Sequence, residues 1–102
     1  MDKIAMLTDI LAQSPNDAFA RYGLAMEYSK GGDVERAMGE FGKLLAANPD
    51  YTAGYFMAAQ TLVRAERLEE ARKMLADGIA AAQRTSNSHA QSEMEAMLAE
   101  LS

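Results

Sequence analysis

Residues 15–49 read PNDAFARYGLAMEYSKGGDVERAMGEFGKLLAANP, and at the second proline the same pattern begins again. Shifting the chain by 34 residues lays Pro15 on Pro49, Ala25 on Ala59, Ala37 on Ala71 and Ala46 on Ala80. The large apolar positions keep the same spacing: Tyr22 with Phe56, Tyr28 with Leu62, Val34 with Leu68. Two series run through three copies, Leu7 with Phe41 and Leu75, and Leu11 with Leu45 and Ile79. A period of this length marks a stacked architecture, in which each unit buries its apolar face only against its neighbours. Such a scaffold presents a surface, so binding is the first functional expectation.

Every segment within the period reads as helix. Ile4, Leu7, Ile10 and Leu11 recur at helical spacing and predict a helix over about 2–13, ended before Ser14-Pro15. Asn16 and Asp17 offer caps to a second helix carrying Arg21, Leu24, Ala25 and Tyr28 on one stripe. It stops at Gly31-Gly32, where the missing Cβ permits a left-handed turn. Asp33 caps a third helix whose inner face is Val34, Ala37, Phe41, Leu44 and Leu45. After Asn48-Pro49-Asp50 come a fourth helix with Tyr55, Ala58, Ala59 and Leu62, and a fifth with Leu68, Ala71, Leu75 and Ile79. Only Ala65-Glu66-Arg67 separates these two, where the earlier unit has Gly31-Gly32-Asp33. The polar run Thr85-Ser86-Asn87-Ser88 offers caps to a last helix with Met94, Met97, Leu98 and Leu101 on one stripe. Short connections make successive helices antiparallel neighbours. Gly23, Gly39, Gly42, Gly54 and Gly78 fall inside predicted helices; close helix approach accounts for Gly78, and nothing in the sequence accounts for the others.

Composition bounds the function. A chain of 102 residues, 49% apolar and 25% charged, is one folded domain. Its net charge of −5 disfavours nucleic acid, whose phosphates draw affinity from clustered Lys and Arg. Without cysteine there is no disulfide, thiolate metal site or cysteine nucleophile. The first fifteen residues lack a secretory pattern, and no apolar run approaches the ~20 residues of a membrane span, so the expected location is cytoplasmic.

The first unit reads Arg21-x₂-Leu24-Ala25-x₂-Tyr28, then Ala37-x₃-Phe41, then Pro49; the second reads Tyr55-x₂-Ala58-Ala59-x₂-Leu62, then Ala71-x₃-Leu75. This resembles the tetratricopeptide repeat, a 34-residue helix–turn–helix unit with a small-and-large apolar signature. The resemblance implies an all-α antiparallel helix-hairpin solenoid of about six helices. Residues 1–14 would form a half repeat, 15–48 and 49–83 two repeats, and 87–101 a capping helix. Three features depart from the pattern: Arg21 replaces the large aromatic, Gln83 stands where a third proline would fall, and the last helix lacks the leading-helix signature.

The second helix carries a further set of side chains displaced round from its stripe, and the fourth helix repeats the arrangement. In the family it resembles, those positions line a concave groove that receives a peptide or partner helix. Carried over, the groove would hold Phe19, Tyr22, Met26, Ser29, Lys30, Phe56, Gln60, Val63 and Arg64. Aromatics and Met26 suit an amphipathic or extended apolar segment, and Lys30 with Arg64, one period apart, would meet an acidic group on it. Tyr22 and Met26 stand where a carboxylate-clamping groove would need Lys and Asn, so a chaperone-tail receptor is not expected. The bland alternative is that Tyr22 and Phe56 only pack against adjacent helices. The competing function is a structural or self-assembling module that forms a homodimer without a separate ligand.

No enzymatic function is expected, and no cofactor or metal. His89 is the sole histidine and has no ligand partners at fixed spacing. Glu66, Glu69 and Glu70 read as a solvated helix start, and Gly31-Gly32 lacks the Lys-Ser/Thr and strand of a phosphate cradle. The small–large pairing yields a stability prediction. Ala59→Leu and Ala71→Leu should each destabilise by about 1–3 kcal/mol through overpacking, read as a lower urea midpoint at constant slope; unchanged melts would remove the packing argument.

Overall fold

A computed structural model describes residues 2–101; Met1, the first residue of the expected 1–14 segment, lies outside them. The chain forms α1 (Lys3–Gln13), α2 (Ala18–Lys30), α3 (Val34–Ala47), α4 (Thr52–Arg64), α5 (Leu68–Arg84) and α6 (Ser88–Glu100). Among the described residues there is no strand. Each helix packs against its successor, and the molecule measures 40 × 29 × 18 Å. Curvature shows in which helices meet. α2 comes within 8 Å of α4, and α4 of α6 (Cα to Cα), whereas α1, α3 and α5 stand apart from one another. The layer of α2, α4 and α6 is therefore the inside of the bend, and its members run parallel.

Two kinds of turn carry the chain between layers. At Pro15 and Pro49 the amides of Ser14 and Asn48 close the preceding helix on Ile10 and Leu44, and Asp17 and Tyr51 bond back to Ser14 and Asn48. The other kind occurs three times. Gly32, Glu66 and Ser86 take positive φ of 80°, 60° and 54°. In each, that residue's N–H bonds to the carbonyl three residues back, and the next N–H to the carbonyl five back: Asp33 to Tyr28, Arg67 to Leu62, Asn87 to Ala82. This double bond satisfies carbonyls that a helix end leaves free. Ala65-Glu66-Arg67 thus makes the same turn as the diglycine, with Glu66 held in a region where side chains are disfavoured by roughly 1–2 kcal/mol. Gln83, unlike a proline, keeps its N–H, and α5 runs on to 17 residues against 14 in α3 before turning at Ser86.

Three caps fall where the sequence places them: Asp17, Asp33 and Asn87 accept from the amides of Ala20, Arg36 and Ala90. Asp2, expected inside the first helix, is instead its cap, accepting from the amide of Ala5. Arg21, in the aromatic's place, donates to the Pro15 carbonyl at 3.1 Å and pairs with Glu40 at 2.6 Å. One period later the Tyr55 hydroxyl donates to the Pro49 carbonyl at 2.8 Å, so two different side chains tie down equivalent turns.

Ala25, Ala37, Ala58, Ala59 and Ala71 have no exposed surface, nor have Phe41, Leu44 and Leu75 beside them. A Cβ on Gly78 would sit 2.5 Å from Met94 Sδ and 2.6 Å from Tyr55 Cβ, so α5 meets both α4 and α6 there. Gly54 is a second close approach, where a Cβ would sit 3.0 Å from Leu45 and 3.1 Å from Leu44. Two residues of the apolar stripes are exposed. Ile10 stands next to buried Leu11 in α1, and Leu68 opens α5, where a side chain leans back over the turn.

Gly39 and Gly42 have open space where a Cβ would go. Gly39→Ala and Gly42→Ala should therefore each stabilise by roughly 0.5–1 kcal/mol in urea titrations, while Gly78→Ala destabilises by about 1–3 kcal/mol.

Candidate functional site

The inner layer presents a trough whose floor is α4. Phe56, Gln60, Val63 and Arg64 lie four, seven and eight residues along that helix and share one face. Because α6 runs parallel to α4, it forms a wall along that floor. Near their N-terminal ends, Ala53, Phe56 and Met57 meet Tyr22 of α2 and Asn87, His89, Ala90, Glu93 and Met94 around a mostly apolar pocket of about 280 Å³. Near their C-terminal ends, Gln60, Val63 and Arg64 face Met97, Glu100 and Leu101 across a second pocket of about 310 Å³. A third, of about 330 Å³, lies between the ends of α2 and α4 and is lined by Ser29, Lys30, Val34, Thr61 and Arg64.

Seven of the nine expected groove residues border these pockets. Tyr22 and Phe56 are half-buried in the first, Gln60, Val63 and Arg64 border the second, and Ser29, Lys30 and Arg64 the third. Phe19 and Met26 border none of the three. Phe19 is 77% exposed, and Met26 packs against the cluster of Ala25, Ala37, Phe41, Leu44 and Ala58. Ser29 is buried rather than presented, and its hydroxyl is already engaged.

That engagement is a directed chain. Arg64 Nη2 donates to Ser29 Oγ at 2.9 Å, the Ser29 and Thr61 hydroxyls lie 2.6 Å apart, and Thr61 donates to the Met57 carbonyl at 2.8 Å. With the Thr61 proton spent on Met57, the Ser29 proton must go to Thr61, and Ser29 is left to accept from Arg64. Two buried hydroxyls are thereby satisfied, and they fix the guanidinium. Lys30 lies 3.6 Å from Glu27 of its own helix, with its side chain largely exposed.

At the other end, the Tyr22 and Tyr51 rings sit 5.4 Å apart at a tilt of 42°. Burial, and then the neighbouring Tyr51, raise the Tyr22 phenol above its ordinary value; burial, and then Asp17, raise that of Tyr51. Both are neutral at physiological pH.

The wall supplied by α6 adds Asn87, His89, Ala90, Glu93 and Met94, none of which the 34-residue period identifies. Its one advance signal is the stripe of Met94, Met97 and Leu101. His89 stands at the rim, well exposed, 3.4 Å from Glu93. Among the described residues no group of three or more His, Cys, Asp or Glu is placed to hold a metal ion, and no helix is long and apolar enough to cross a membrane.

Comparison with known proteins agrees with this architecture. A family model described as tetratricopeptide repeat matches residues 28–101. The chain is 30% identical over 95 residues to the TPR repeat-containing protein PA0015 of Pseudomonas aeruginosa, covering 93% of this chain and 90% of that protein. The solution structure of a tetratricopeptide repeat domain protein from Salinibacter ruber is 30% identical, with a TM-score of 0.79 over 85% of this chain and 88% of that one. The solution structure of protein BPP2914 from Bordetella parapertussis shares the fold at 23% identity, with a TM-score of 0.85 over 99% of this chain and 88% of that one. The chain belongs to the tetratricopeptide repeat family, whose fold generally mediates protein–protein interaction.

Proposed function

We propose that this protein is an adaptor that holds a peptide or partner helix in the trough of α2, α4 and α6. The observation that carries this reading is the open apolar pocket between Tyr22, Phe56, Met57 and Met94. Tyr22, Phe56 and Val63 are half-buried, so a ligand can complete their burial. Rigid aromatics gain contact area at small entropic cost, which suits them as anchors. In this scheme residues 15–48 and 49–83 act as two repeats that supply the floor, 1–14 shields their free edge, and 87–101 is both cap and wall. The role requires no chemistry on the ligand.

A second reading has its own support. Three large apolar side chains near the α1 end are exposed: Met6 at 46%, Ile10 at 40% and Phe19 at 77%. Exposed apolar surface there favours a homodimer formed without a separate ligand.

Light scattering after size-exclusion, over a range of concentrations, separates the two. An adaptor runs as a monomer, and Tyr22→Ala and Phe56→Ala each weaken partner binding by about 30-fold or more while the fold is kept. A dimer dissociated by Phe19→Ser and untouched by Tyr22→Ala overturns the adaptor reading in favour of assembly.

The raised Tyr22 phenol gives an independent check. A bound partner deepens its burial and favours the neutral form further, so tyrosinate absorbance should rise at higher pH with partner present. The binding contributed by neutral Tyr22 is complete below the ordinary tyrosine range and is lost as pH climbs through the raised value.

A further inference from the structure

Arg64 differs from the other five arginines. Arg21, Arg36, Arg67, Arg72 and Arg84 each have a carboxylate oxygen within 4.0 Å; among the described residues Arg64 has none, in a chain with 15 acidic and 10 basic residues. It is held instead by the buried Ser29 hydroxyl. That bond uses one of the five N–H donors of a guanidinium, and Arg64 borders two pockets with the others to spare. The C-terminal end of α4 carries about half a negative charge and answers part of the cation, not all of it. Lys30 borders the third pocket as a second cation, partly neutralised by Glu27.

We propose that Arg64, with Lys30 behind it, is the anion subsite of the trough and takes a carboxylate from an amphipathic protein segment whose apolar anchor rests on Tyr22 and Phe56. The proposal rests on the adaptor reading and adds the partner's chemistry and register. A guanidinium fork fits a carboxylate bidentately. Glu27 beside Lys30 and Glu100 on the opposite wall would repel a dianion more than a single negative charge, so a carboxylate is favoured over a phosphate. Phe56 and Arg64 are eight residues apart on α4, or about 12 Å. The acid therefore lies about four residues from the apolar anchor in an extended partner, and seven or eight in a helical one.

Random peptides of about 12 residues, long enough to span that distance, are selected on phage against the whole chain and then measured by fluorescence anisotropy. The expected binders pair a large apolar residue with Asp or Glu at one of those spacings. Arg64→Gln weakens them by about tenfold or more, Lys43→Gln leaves them unchanged, and changing the peptide acid to its amide causes the same loss, with no further loss in Arg64→Gln. Arg64 is exposed, and thermal melts confirm that the variant folds. Binders that Tyr22→Ala abolishes but Arg64→Gln spares leave the trough standing and overturn the subsite. An equal loss in Arg64→Gln for acid and amide peptides also overturns it, assigning Arg64 to the α4 end alone. Failure to select any peptide overturns both readings.

Discussion

Helix backbones in this molecule approach one another only as closely as their smallest side chains allow. Ala25 and Ala37, and one period on Ala59 and Ala71, are shielded from solvent at the centre of the hairpins, with Phe41 and Leu75 filling the space beside them. Gly78 carries the principle to its limit, since even a methyl group there would collide with Met94 and Tyr55. Because interiors are packed at crystal-like density, these small residues set the spacing of the stack. That spacing fixes the distance between α4 and α6, and so the width of the trough. A larger residue at any of these sites would displace the surface without touching it.

The 34-residue period made the fold legible. The clearest helices are those where cap, breaker and stripe agree, as at Asp33 with Val34, Ala37 and Phe41. The turn at Ala65-Glu66-Arg67 was harder, because the left-handed residue there is glutamate. The structure shows that the hydrogen bonds to Val63 and Leu62 define this turn, with glycine only one way to occupy it. Gly39 and Gly42 keep open space around them, and the packing offers no reason for either glycine.

The candidate site is legible only where it is periodic. Tyr22 and Phe56 occupy equivalent positions and meet in one pocket. The wall from α6 has no counterpart in the earlier units, so Ala90 and Glu93 could be placed only by the fold. Ser29 read as a groove residue because of its helical phase, but phase does not say what lies opposite. Thr61 lies opposite and turns a presented hydroxyl into a buried strut for Arg64. Phe19 shares the helix and misses the trough: it is exposed and borders none of the three pockets.

The separation of α1, α3 and α5 has a mechanical meaning. A curved stack that touches along its inner side and gaps along its outer side bends like a leaf spring clamped on one edge. Opening or closing the inner face separates no outer-helix backbones that lie within 8 Å of each other, and the strain falls on hairpin interfaces, their three- or four-residue hinges and the Arg67–Glu35 ion pair between the start of α5 and α3. Compliance of this kind lets one frame accommodate ligands of different girth by small changes of curvature, with no refolding.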